Sequence, residues 1–187
     1  VAIAASLAVA GDDLVQALRA YALAGGHLLA TFRTCYGDDL GSPRPSVQPY
    51  GLADLAGVRH AEATNTDRPV PVTGELSGHA ERFIEYLEPE GAQVLAGLDH
   101  PQWSRWAAVT TRPAGAGRIT YLGCFPDLEL TRSLMRWIAV TTPAADSDPD
   151  WSAAAHAAGV ALHSATSRDG RRVRILHRMD DAPAVVT

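Results

Sequence analysis

The 187-residue chain has 47% hydrophobic and 20% charged residues, which predicts a sizeable globular core rather than global disorder. It is shorter than the roughly 250 residues of a typical (β/α)8 barrel. The formal net charge is −5, there is no lysine, and no basic stripe is interleaved with aromatics, which argues against a nucleic-acid partner. The apolar opening run lacks a charged start and the length of a membrane span, so neither a signal peptide nor a membrane helix is predicted.

The start of the chain predicts a strand, a helix and a second strand. Residues 1–10 form a short, almost wholly apolar run. Residues 12–24 carry apolar side chains at helical spacing and stop at Gly25-Gly26, and residues 27–32 are apolar again. Connections this short predict parallel strands joined by a right-handed crossover. The chain begins without methionine and directly inside a strand-like run, so we expect that a segment upstream of Val1 has been removed.

The middle of the chain is less regular. A long polar stretch at residues 33–50 is rich in glycine and proline and predicts an irregular excursion of a kind that often contacts a partner. Residues 79–87 fit a helix turn or an edge strand, and both interpretations stay open. A glycine-rich tip at residues 113–117 predicts a β-hairpin. The other predicted elements are a short helix at 51–57, strands at 58–63, 93–98, 107–111 and 118–123, and an amphipathic helix at 128–140.

The composition predicts two domains. Residues 146–150, with the sequence DSDPD, are the best candidate for a linker. The first domain would then cover residues 1–145, and residues 151–187 would form a small C-terminal β-domain. Within this second part, Asp169-Gly170 lies between alternating strands, which is a strong local signal for a hairpin.

Four motifs, in this order, resemble the region that follows the catalytic barrel in bacterial family 42 β-galactosidases. The motif Tyr21-x-x-x-Gly25-Gly26 precedes an apolar strand, and Leu52 to Val58 resembles a short helix that leads into a strand. Residues 106–123 resemble the family's late hairpin, and residues 173–186 its closing β-sandwich. Cys35 departs from the pattern, because the family usually carries glycine there. The resemblance also implies a first strand–helix unit upstream of Val1, which this chain lacks.

The resemblance implies a flavodoxin-like α/β domain, related in shape to class I glutamine amidotransferases, with a mainly parallel sheet and helices on both faces. It implies that this domain packs subunits into a homotrimer and that the protein's own catalytic barrel lies upstream. The full-length protein would hydrolyse terminal non-reducing β-D-galactose residues with retention, whereas this chain alone would be non-catalytic. No cofactor is implied. Cys35 and Cys124, far apart in the chain, are expected to be reduced thiols of a cytoplasmic protein.

No catalytic or metal-binding set is assigned. Retaining glycosidases need two carboxyl groups about 5–5.5 Å apart. The local cluster of Glu81, Glu85, Glu88 and Glu90 is interpreted as a solvated polar face instead. Histidines and cysteines lack the spacing that metal ligands require.

Two alternative functions stay open. The first is an amidotransferase-like hydrolase that uses Cys35, which follows a buried strand but has no predicted helix behind it to lower the pKa of the thiol. The second is a carbohydrate-binding module in which Trp103 and Trp106 stack on sugars. If the chain joins subunits, aromatic and arginine side chains are the expected anchors. The candidate contact residues are Arg33, Tyr36, Tyr50, Trp103, Arg105 and Trp106.

Overall fold

The structure is a computed structural model that divides into two compact units, Val1–Thr142 and Pro143–Thr187. The residues it describes are 1–45, 47–142, 161–167 and 169–177. The linker predicted at residues 146–150 lies outside these ranges, so the predicted domain boundaries stay predictions.

In the residues that the structure describes, the first unit is built on one nine-stranded mixed sheet, a separate two-stranded sheet of its third and seventh strands, and three helices. Its elements are β1 (Ala2–Ala4), α1 (Asp12–Leu23), β2 (His27–Thr31), α2 (Ala53–Ala56), β3 (Val58–Arg59), β4 (Ala63–Asn65), β5 (Val70–Gly74), β6 (Gly78–Glu85), β7 (Glu88–Pro89), β8 (Gln93–Leu98), β9 (Ala107–Ala114), β10 (Gly117–Leu122), β11 (Cys124–Pro126) and α3 (Leu128–Thr141). Within the described ranges, no helix is long and apolar enough to cross a membrane.

The parallel part of the sheet is formed by three strands. Strand β2 lies between β1 and β10 and runs parallel to both, with Leu28 opposite Ala2 on one side and Ile119 on the other. All five residues of β2 are buried. Helix α1 connects β1 to β2, and it begins with two aspartates, which favour the positive end of a helix. The predicted strand–helix–strand start is therefore confirmed.

The rest of the sheet overturns the predicted fold class. From β10 onward the order is β10-β9-β8-β5-β6-β11, with β4 also on β6, and every one of these pairings is antiparallel. The sheet is mixed and curled into a half-barrel. The flavodoxin-like, mainly parallel sheet with helices on both faces is wrong, because strands β4 to β10 follow one another without intervening helices. Residues 79–87, for which the sequence allows a helix turn or an edge strand, lie mostly in strand β6.

Apolar side chains pack on both faces of the sheet. Successive side chains of a strand point to opposite faces, so Leu28 of β2 joins the core cluster beneath α1, and Leu29 joins the cluster beneath α3. Helix α3 begins after Asp127, whose carboxylate accepts a hydrogen bond from the backbone N–H of Leu130 at 2.7 Å. Each face of the sheet thus has its own apolar core cluster with only one or two helices packed on it, rather than the full helical layers of the predicted fold.

The second unit contains one described hairpin. Strands β12 (Ala161–Thr166) and β13 (Arg172–His177) pair in antiparallel fashion. Gly170 adopts a φ of 82° in the turn between them, a conformation that glycine reaches without strain. The hairpin predicted at Asp169-Gly170 is confirmed. The wider β-domain predicted for residues 151–187 falls largely outside the described residues and stays a prediction.

Candidate functional site

A cavity of about 700 Å³ opens beside the carboxyl end of strand β2. Its wall is built from the turn after β2, the excursion predicted at residues 33–50, the end of β3, strand β4 and the end of β6. The side chains on this wall include those of Arg33, Tyr36, His60, Glu62, Asn65 and Glu85. The carboxyl ends of parallel strands are a common position for ligand sites, which makes this cavity the first candidate.

Glu85 is the buried polar centre of this site. It is the last residue of β6, and its side chain is 1% exposed. Its Oε1 accepts a hydrogen bond from the backbone N–H of Arg33 at 2.6 Å, and its Oε2 accepts one from the hydroxyl of Tyr121 at 2.9 Å. Its own backbone N–H donates to the carbonyl of Gly123 at 2.7 Å. Glu85 therefore ties β6 to the ends of β2 and β10.

Burial dominates the electrostatics of this group. Burial raises the pKa of Glu85 to about 7, although the hydrogen bonds from Arg33 and Tyr121 and the charge of Arg33 act in the opposite direction. The Nε2 atom of His60 lies 3.5 Å from Oε1 of Glu85. Burial lowers the pKa of His60 to about 4, so the imidazole is neutral at pH 7. The cavity floor thus combines a carboxyl group near its titration midpoint with a neutral histidine.

The interpretation of the glutamate cluster as a solvated face is wrong for Glu85. Glu88 and Glu90 do lie on the surface, where both pair with Arg59 at 2.7 Å. Glu85 is instead buried, like its neighbour Ile84, because hydrogen bonds from distant segments satisfy its carboxyl group. Among the described residues, the groups that contact this carboxyl are a backbone N–H, a hydroxyl and an imidazole, with no second carboxyl.

Cys35 does not have the surroundings of a nucleophile. Its side chain is fully buried, and burial raises the pKa of the thiol to about 11 despite the nearby charge of Arg44. A nucleophilic cysteine needs the opposite, a lowered pKa at an accessible position. The backbone at Cys35 is left-handed, with a φ of 61°, but the next helix, α2, begins only at Ala53. The geometry thus argues against the hydrolase alternative.

The candidate contact residues of the excursion have different environments. Arg33 and Tyr36 both line the cavity, and the side chain of Tyr36 is 45% exposed. Tyr50 is half-buried, and the guanidinium of Arg44 lies over its ring at 3.9 Å from the centroid. Two of these three residues are therefore open to a partner or ligand, while Tyr50 is already covered on one face.

The loop before β9 holds the other three candidates in stacked layers. The indole of Trp106 lies between the ring of Tyr86 and the guanidinium of Arg105, each 4.0 Å away. The ring of Trp103 stacks on His100, also at 4.0 Å. Because both faces of Trp106 are occupied, the two tryptophans cannot form the sugar-stacking platform of the second alternative. Arg105 remains exposed at the top of its stack.

One group of side chains has the ligand types of a metal site, although the spacing of its residues in the sequence does not indicate one. His79, Asp127 and Glu129 bring potential ligand atoms within 4.8 Å of one another. Nδ1 of His79 contacts Oδ2 of Asp127 at 2.9 Å, while Oδ1 caps helix α3. The positive end of that helix disfavours a cation. We interpret the group as a helix cap with a hydrogen-bonded histidine and assign no metal to it.

The fold is one found within β-galactosidases. The β-galactosidase from the Antarctic haloarchaeon Halorubrum lacusprofundi superposes with a TM-score of 0.71 at 25% identity, covering 91% of this chain and 24% of that one. The β-galactosidase from Rahnella sp. R3 superposes with a TM-score of 0.68 at 22% identity, covering 87% of this chain and 25% of that one.

The sequence comparison identifies the family. Residues 1–142 match the family described as the β-galactosidase trimerisation domain, and the chain belongs to this family. The curated β-galactosidase Bga of Halorubrum lacusprofundi is 29% identical over 148 residues, covering 71% of this chain and 21% of that protein. The chain spans about a fifth of the length of the curated relatives it matches. The resemblance to family 42 β-galactosidases is confirmed. The expectation of a bacterial source is not supported, because the relative from Halorubrum lacusprofundi is haloarchaeal.

Proposed function

We propose that this chain is the subunit-associating part of a β-galactosidase. In the full-length protein, a catalytic barrel upstream would hydrolyse terminal non-reducing β-D-galactose residues with retention, and this chain would hold the subunits together as a homotrimer. The observation that carries the proposal is the match of residues 1–142 to the trimerisation domain family. The proposal is contradicted if the reading frame upstream of Val1 encodes no barrel with a pair of catalytic carboxylates.

The contact surface is proposed to include the loop before β9. Arginine and aromatic side chains are enriched among residues that dominate binding at protein interfaces. The stacks of Arg105 on Trp106 and of Trp103 on His100 hold these side chains in one geometry before contact. Such preorganisation lowers the conformational-entropy cost of association. The proposed partner of this loop is a second copy of the chain.

Sedimentation equilibrium of the 187-residue chain tests the association. We expect a monomer–trimer equilibrium whose dissociation constant rises at least tenfold in Arg105→Glu. Arg132→Glu, which reverses an exposed charge on α3, is the matched control and should leave the equilibrium unchanged. A chain that stays monomeric at every concentration, or equal weakening by both substitutions, contradicts the proposal.

We also infer a cytoplasmic location. Cys35 and Cys124 are both free thiols, which favours a reducing compartment. Fractionation of the source cells, with immunodetection of the full-length protein, tests this inference, and recovery from the medium would contradict it.

A further inference from the structure

The cavity beside β2 contains one arginine that forms no ion pair with another described residue. Of the three arginines on its wall, Arg44 pairs with Asp12 at 2.8 Å, and Arg59 pairs with two surface glutamates. The guanidinium of Arg33 makes no ion pair or hydrogen bond within the described ranges. It lies on the same wall as Glu85, whose pKa its charge helps to lower. Arg33 is therefore available to a bound molecule.

Other polar groups of the cavity are also unpartnered. The hydroxyl of Tyr36, the carboxylate of Glu62 and the amide of Asn65 are exposed, and none of them makes a side-chain hydrogen bond with another described residue. Together with Arg33 they offer both donors and acceptors. Arg33 and Glu62 have opposite formal charges, so these four side chains together carry no net charge. A ligand that needs donors and acceptors but no net charge fits this set.

Apolar surface lies beside these polar groups. The exposed ring of Tyr36 and the half-buried ring of Phe83 both line the cavity, and Phe83 is held by Phe32 at a centroid distance of 5.5 Å. Aromatic rings combined with a few convergent polar groups are typical of small-molecule sites, which span about 300–1,000 Å³. A cavity of about 700 Å³ falls within that range.

The polar wall is also fixed in position. Arg33 adopts a left-handed backbone with a φ of 62°, and its N–H is held by the buried carboxyl of Glu85. Non-glycine residues keep such a conformation only where surrounding contacts impose it, and they concentrate at ligand-binding positions. The hydrogen bond from Arg33 to Glu85 supplies that constraint, so the side chain of Arg33 leaves a rigid base.

We propose that this cavity binds a neutral, hydroxyl-rich ligand of the carbohydrate class, of monosaccharide or disaccharide size. Hydroxyl groups of the ligand would pair with Arg33, Glu62 and Asn65, and an apolar face of its ring would lie against Tyr36. This site is separate from the loop proposed for subunit contact, and its existence does not depend on the function proposed above.

Saturation-transfer NMR on the 187-residue chain, with galactose and lactose as probes, tests the proposal. We expect transfer to both sugars, and at least tenfold weaker binding in Arg33→Ala and in Ala63→Trp, which fills the cavity from strand β4. Arg132→Ala removes an exposed arginine beside another cavity and should bind as the wild type does. Circular dichroism of each variant reports whether its fold is retained, and Ala63→Trp keeps the proposal testable if Arg33→Ala unfolds.

Several outcomes would overturn the proposal. These are no transfer to either sugar, undiminished binding in the folded Ala63→Trp variant, equal loss in Arg132→Ala, or tighter binding of glucuronate than of galactose. Arg105→Glu distinguishes this proposal from subunit association, since it should weaken the trimer and leave sugar binding unchanged. Sugar binding by a chain that stays monomeric would support the cavity proposal while contradicting the association proposal.

Discussion

The hydroxyl of Tyr121 donates a hydrogen bond to the carboxyl of Glu85 at 2.9 Å, and both side chains are 1% exposed. This contact joins the end of the antiparallel part of the sheet to a strand of its parallel part. Both groups are buried, so in the folded chain water cannot replace either partner of this hydrogen bond. The ionisation of Glu85 is therefore coupled to folding.

Glu85→Gln should change how stability depends on pH. The folded pKa of about 7 exceeds the ordinary value of 4.5, so the native state binds more protons than the unfolded state between these pH values. The wild type therefore loses stability as pH rises through this window, whereas the neutral amide does not. Relative to the wild type, the free energy of unfolding of the variant should increase by about 3 kcal/mol between pH 4.5 and 8. Urea titrations across this range measure it, and a difference that does not vary with pH would contradict the raised pKa.

Tyr121→Phe should destabilise the first unit by about 1–3 kcal/mol at pH 7, since it leaves Oε2 of Glu85 buried without its donor. Tyr36→Phe removes an exposed hydroxyl and serves as the control, with an expected change below about 0.5 kcal/mol. Urea denaturation gives both values. Equal losses in the free energy of unfolding for the two substitutions would contradict a stabilising role of the buried hydrogen bond.

His27→Asn should act in the opposite pH direction. Burial, with the charge of Arg118 as a smaller cause, lowers the pKa of His27 to about 4 from 6.5. The unfolded state then binds more protons between these values, so the wild type loses stability as pH falls through that window. The wild type should lose about 3 kcal/mol relative to the variant from pH 6.5 to 4. Urea denaturation at both pH values measures this change. A difference in free energy of unfolding between the two proteins that is the same at pH 6.5 and pH 4 would contradict the expectation.

The two cysteines should be unreactive in the folded chain. Burial raises the pKa of both thiols, that of Cys35 to about 11. We expect a disulfide reagent at pH 8 to label neither thiol in the native protein and both in denaturant. Rapid labelling of Cys35 in the folded state would restore the hydrolase alternative.

Local pattern predicted the elements whose partners are near in the chain. The unit of β1, α1 and β2 was predicted because its periodicity changes at Gly25-Gly26, and the hairpin of β9 and β10 because of its glycine-rich tip. The rest of the antiparallel part was not predicted, because residues 79–87 fit two periodicities and β6 also pairs with β11, a strand distant in the chain. Glu85 was misassigned for the same reason, since its hydrogen-bond partners Arg33 and Tyr121 lie far from it in sequence.

The central position of β2 has a consequence for synthesis of the chain on the ribosome. Its five buried residues need both neighbours, yet β10 pairs with β2 only through contacts such as Arg118 with His27. The edge of β2 that pairs with β10 therefore stays unpaired until most of the first unit has been translated. Long-range parallel pairing of this kind folds slowly and exposes nascent chains to aggregation. We expect chaperones to matter for this domain during translation rather than after it.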